Sequence, residues 1–204
     1  MSEEMSQDSY RTHPSILLHL NEGSPMPRQV AWQEFYDFYT PIVAGFARNF
    51  GASPQDIQDV IQDVMLGFYR VSPNFVYDPS RGRFRGFLKV CTFRALRARM
   101  TANRRMQTNK LEDLDPESPE VTQIWSQQWD QELLRRAMQA VKQDYQEPSR
   151  QKTFRAFELY VILGKDSDEV ARELDMEINS IHKAKERITK ALRKKIEEFD
   201  KDHG

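Results

Sequence analysis

From Arg81 to Arg105 the chain carries Arg81, Arg83, Arg85, Lys89, Arg94, Arg97, Arg99, Arg104 and Arg105 and not one acidic residue. Tyr77 stands just before this block, and Phe84, Phe87 and Phe93 are threaded through it. Cationic side chains neutralise phosphates and flat apolar rings stack on unpaired bases, so the mixture suits a single nucleic-acid strand. The formal net charge of the whole chain is only -1, which makes the block a local feature. The alternative is a solvated basic helix face, although such faces usually interleave acids and this one has none.

Covalent chemistry finds less support. The sequence holds no GxxxxGK[ST] loop and no cluster of His and Cys at metal-ligand spacing. His13, His19, His182 and His203 are scattered, and the single Cys91 sits on an apolar helical stretch, where it reads as core rather than nucleophile. Asp56, Asp59 and Asp63 recur three and four residues apart and read as one polar helix face rather than a metal site. No enzymatic activity, metal or cofactor is expected. One cysteine excludes an internal disulfide and fits a reducing compartment. No apolar run is long enough to cross a bilayer and Met1–Tyr10 is unlike a signal peptide, so a cytoplasmic protein without membrane contact is expected.

The elements that would carry the block are helical. Few glycines and few β-branched runs point to an all-α fold. Residues from about Arg28 to Phe50 place Trp32, Phe35, Tyr36, Tyr39, Val43, Phe46 and Phe50 at helical spacing, with Pro41 expected to kink or restart the helix and Gly51 to stop it. Ser53-Pro54-Gln55-Asp56 reads as an N-cap, a first-turn proline and a capping acid. That helix should bury Ile57, Val60, Ile61, Val64, Met65 and Phe68. A loop around Pro73, Pro79 and Gly82 precedes the basic helix, whose expected buried set is Phe84, Phe87, Leu88, Cys91, Ala95 and Leu96. Periodicity then fades, and the acidic, proline-bearing stretch Leu111–Glu120 reads as a flexible linker.

The second half opens on a helix with Trp125, Trp129, Leu133, Leu134, Ala137, Met138 and Val141 in register. A break at Pro148 precedes a helix through Phe154, Phe157, Val161 and Ile162 to Gly164. Asp166-Ser167-Asp168-Glu169 resembles a capping box opening a short helix with Val170, Ala171 and Leu174 inward. A turn at Asp175-Met176-Glu177 leads to a long helix striped by Ile181, Ala184, Ile188, Ala191, Leu192, Ile196 and Phe199. His182, Lys183, Glu186 and Arg187 lie off that stripe. Short helix, tight turn and long helix with polar first turns is the helix-turn-helix pattern, suited to the major groove. An ordinary helical hairpin is the alternative.

Together these segments resemble a bacterial RNA polymerase sigma factor of the extracytoplasmic-function group. The resemblance implies two small helical domains. An N-terminal extension over 1–27 precedes region 2 over 28–105, followed by a linker over 106–124 and region 4, with the helix-turn-helix, over 125–204. Asp59-Val60-Ile61-Gln62-Asp63-Val64 resembles the segment that grips the clamp of the polymerase's largest subunit, which implies contact through Asp59, Gln62 and Asp63. Tyr77-Asp78-Pro79-Ser80-Arg81-Gly82-Arg83-Phe84-Arg85-Gly86-Phe87-Leu88 resembles the loop and helix that melt and hold the minus-ten element. By that likeness Tyr77, Arg81, Arg83, Phe84, Arg85, Lys89, Arg94 and Arg97 contact the displaced strand. His182, Lys183, Glu186 and Arg187 fall where region 4 reads the minus-thirty-five element. Phe87 stands where a tryptophan is common, Arg94 where an asparagine is common, and Asp175 where the turn glycine is usual. The implied function is promoter recognition, strand opening and transcription initiation with core RNA polymerase and promoter DNA as partners. An anti-sigma factor is a common further partner in the group. A stand-alone helix-turn-helix regulator that never binds polymerase is the competing function.

Overall fold

Ser53-Pro54-Gln55-Asp56 does what its residue types allow. In the computed structural model, which describes residues 17, 20, 27–75, 84–102, 111 and 114–203, the Asp56 amide donates to the Ser53 hydroxyl at 3.2 Å and the Asp56 carboxylate accepts from the Ser53 amide at 3.4 Å. This reciprocal box satisfies amides that a helix start leaves without intrahelical partners. The described residues form seven α-helices and no strand. They are α1 (Arg28–Asn49), α2 (Pro54–Val71), α3 (Phe84–Ala102), α4 (Pro119–Asp144), α5 (Pro148–Phe157), α6 (Ser167–Leu174) and α7 (Ile178–His203). A π turn over Glu158–Ile162 extends α5. No helix among the described residues is long and apolar enough to cross a membrane.

Two compact units result, one of 1–132 with 200–204 and the other of 133–199. The first is built on aromatic packing. Phe35 of α1 stacks on Phe68 of α2 at 4.7 Å between ring centroids, and Phe84 of α3 closes on Phe35 at 5.9 Å, on Tyr39 at 5.5 Å and on Phe68 at 5.2 Å. All six apolar residues expected inside α2 are buried. Pro41 neither ends nor restarts α1, which runs unbroken from Arg28 to Asn49. The helix stops at Gly51, whose positive φ of 77° lets the Ala52 amide turn back to the Ala47 carbonyl at 3.2 Å.

The stretch read as linker is shorter than its composition suggests. Asp115 accepts from the Glu117 amide at 2.8 Å in a tight turn, and α4 begins at Pro119. Val121, Trp125 and Trp129 are buried in the first unit, where Trp125 meets Phe46 and Trp129 meets Phe38. The compact units divide after Glu132. Two tryptophans bury far more area than the linker's charges can offset, and burial decides the placement.

In the second unit, Ala137 and Val141 of α4 pack with Phe154 and Phe157 of α5 and Ile188 and Leu192 of α7. Leu159, Val170, Ile181 and Ala184 form a second cluster. The wider π turn breaks the 3.6 period, so Leu159 is buried while Val161 and Ile162 are exposed. Asp166 caps α6 by accepting from the Asp168 amide at 2.8 Å. Asp175 ends α6 in the left-handed region (φ 48°, ψ 63°), and the Met176 amide returns to the Ala171 carbonyl at 3.0 Å. A short polar side chain tolerates that conformation better than most residues. The Glu177 carbonyl accepts the first amides of α7.

Candidate nucleic-acid interface

Helix α3 carries Arg85, Lys89, Arg94, Arg97 and Arg99 of the basic block, and its two faces have different neighbours. Phe84, Leu88, Lys89, Thr92, Phe93 and Leu96 face inward, whereas Arg94 and Arg97 are exposed. Arg94, Arg97, Ala98, Thr101 and Ala102 border a surface hollow with Phe93, Asp115 and Pro116. Two guanidinium groups one helical turn apart beside a concave wall can hold successive phosphates of an extended strand. Tyr77, Arg81 and Arg83 lie outside the described residues.

Phe84 cannot serve as an exposed base platform in this arrangement. Its ring is 1% exposed and enclosed by Phe35, Tyr39 and Phe68, so it belongs to the core. Phe93, also 1% exposed, is likewise core. Phe87, expected inside, is instead 42% exposed beside a second hollow lined by Asp63, Phe68, Val71, Leu88, Cys91 and Arg94. The spacing of Phe84, Leu88, Thr92 and Leu96, four residues apart throughout, already selects the buried stripe and leaves Phe87 on its flank. Phe87 is therefore the described ring of the block that offers a face to a base.

Lys89 also departs from the expected phosphate contact. Its Nζ lies 3.1 Å from Glu117 Oε2 and 3.1 Å from the Thr122 hydroxyl, with its side chain 7% exposed. A lysine this deep is costly unless paired, and here it is paired. Arg85 is half-buried, with its guanidinium 4.8 Å from the centroid of the Trp129 ring. Cys91 is half-buried, and burial pushes its thiol above the ordinary range, partly countered by Arg94. A thiol held protonated is a poor nucleophile.

On α2, Gln62 and Asp63 are exposed and Asp59 is half-buried. The acids are not bare: Arg99 of α3 donates to Asp63 through Nε at 2.9 Å and Nη2 at 3.1 Å, and to Asp59 through Nη1 at 3.3 Å. Hydrogen bonding to Asp63, reinforced by both charges, raises the Arg99 pKa. Arg99 of the run is thus paired with acids of another helix, which linear spacing does not reveal. Asp56 is spent on its cap, and among the described residues no group of His, Cys, Asp or Glu could hold a metal ion. Gln62 borders a separate hollow with Trp32, Tyr36, Ile61, Met65 and Tyr69.

In the second unit His182, Lys183, Glu186 and Arg187 are all exposed on the first turns of α7, opposite buried Ile181, Ala184 and Ile188. Tyr160 of the π turn lies beside this face, its ring edge-on to His182 at 5.5 Å and 5.7 Å from the Lys185 ammonium. Helical spacing did not single out Tyr160, because a π turn leaves no spacing signature.

Residues 35–106 match the sequence model of sigma-70 region 2, which spans α1 from Phe35 through α3. The likeness is to that one region of the sigma-70 family and covers those residues alone. No curated protein and no solved structure matches the chain.

Proposed function

We propose that this chain is a promoter-specificity subunit of the extracytoplasmic-function type, binding core RNA polymerase and reading two promoter elements with two separate units. The observation that carries the reading is the region 2 match laid over a helix whose exposed Arg94 and Arg97 flank a hollow. The first unit binds polymerase through the α2 face of Asp59, Gln62 and Asp63 and holds the opened minus-ten strand along α3. The second reads the minus-thirty-five element as a helix-turn-helix, with His182, Lys183, Glu186 and Arg187 at the groove. Acidic residues on α2 complement a basic partner and speed encounter. Arg99 holds Asp59 and Asp63 in fixed positions, which limits the side-chain ordering that docking would otherwise require.

Reconstitution tests the reading. The chain added to core polymerase should co-migrate with it and produce transcripts from selected promoters. Duplex binding with no polymerase association would favour a stand-alone helix-turn-helix regulator and sink the proposal.

A further inference from the structure

We infer that Glu117 and Thr122, which lie outside the strand-reading helix, are positioning residues for strand capture that act through Lys89; this rests on the sigma reading above. Lys89 sits on the same helix as Arg94 and Arg97, the two exposed cations beside the hollow. Its ammonium does not reach solvent phosphate; it is held at 3.1 Å by Glu117 and at 3.1 Å by Thr122, with its side chain 7% exposed. One turn earlier, Arg85 lies over the Trp129 ring at 4.8 Å. The segment from Glu117 to Trp129 thus grips α3 at two points a helical turn apart.

The grip itself is anchored. Val121, Trp125 and Trp129 are buried, and Gly45 of α1 faces Gln128 so closely that a Cβ at Gly45 would collide with its side-chain amide. Over a few turns an α-helix is rigid, so fixing residues 85 and 89 fixes the rotation at which residues 94 and 97 are presented. Residues three or four apart share a helix face, so a rotational slip by a residue or two would carry Arg94 and Arg97 together off the hollow. Charge in the segment read as linker therefore governs how the DNA strand is met without touching DNA.

The test is a charge swap in reconstituted holoenzyme at saturating core polymerase. Glu117→Lys alone and Lys89→Glu alone should each lower open-complex yield by roughly tenfold, the scale of one charge-assisted hydrogen bond lost. Core affinity and the dependence of opening on salt should stay as in the unsubstituted protein. The Lys89→Glu, Glu117→Lys double variant should restore opening. Thr122→Val, which keeps the shape of the side chain, should lower opening by a smaller factor with an unchanged melting temperature, guarding against simple misfolding. Failure of the swap to restore opening, with a salt slope smaller by about 0.7 in Lys89→Ala, would make Lys89 a phosphate ligand and overturn the inference. Equal losses in core affinity and in opening would make the pair merely structural and overturn it too. Absence of any opening by the unsubstituted holoenzyme would instead remove the sigma reading on which it rests.

Discussion

Phe84 and Phe87 are three residues apart in one basic helix and do opposite work. Phe84 closes the aromatic core against Phe35, Tyr39 and Phe68, and Phe87 presents 42% of its surface to solvent. Truncating a buried phenylalanine costs about 3–5 kcal/mol, and truncating a half-exposed one about 1 kcal/mol or less. Base stacking on an aromatic side chain is worth ~1–3 kcal/mol per base. Phe84→Ala should therefore lower the urea midpoint sharply. Phe87→Ala should leave the midpoint nearly unchanged and weaken holoenzyme binding to forked promoter DNA. Urea titration and fluorescence anisotropy on the two purified variants check this, and the reverse pattern would return the stacking role to Phe84.

At the level of elements, most boundaries were legible because capping chemistry is local. Ser53-Pro54, Gly51, Gly164 and Asp166 mark helix ends by their own backbone preferences, and the structure uses each of them. The α7 stripe was equally plain, since a 3.6 period needs no knowledge of the partner. What stayed hidden depended on contacts distant in sequence: Arg99 reaching Asp59 and Asp63, Lys89 reaching Glu117, and α4 returning to α1. The division between the units falls within α4, and Trp129 tests the assignment of its first half to the first unit. Trp129 is 0% exposed and Leu134 is 48% exposed. Trp129→Ala should destabilise the chain by about 3–5 kcal/mol in chemical denaturation, whereas Leu134→Ala should stay within about 0.5 kcal/mol. A small effect at Trp129 would mean that the first half of the helix does not belong to that unit.

On the scale of the whole molecule, a net charge of -1 conceals two cationic faces in separate compact units. Arg97 faces the α3 hollow in the first unit, and Arg187 stands on the exposed first turns of α7 in the second. On the proposed function, two readers on one chain would gain from each other because the second contact forms at high effective concentration. Contacts in different units, sharing no side-chain partner, should nevertheless contribute nearly additively to the free energy of promoter binding. A phosphate contact also leaves a signature in salt: log affinity against log salt changes by about 0.7 per contact on a single strand and about 0.9 on duplex. Arg97→Ala should flatten the slope by the single-strand amount and reduce protection only around the opened element. Arg187→Ala should relax selection at the upstream element, flattening the slope only to the extent that it touches phosphate. The double variant should show the sum of the two losses, read by footprinting and by salt titration of holoenzyme binding. A loss well beyond the sum would mean that the two readers are energetically coupled, and an unchanged upstream footprint in Arg187→Ala would remove α7 from promoter recognition.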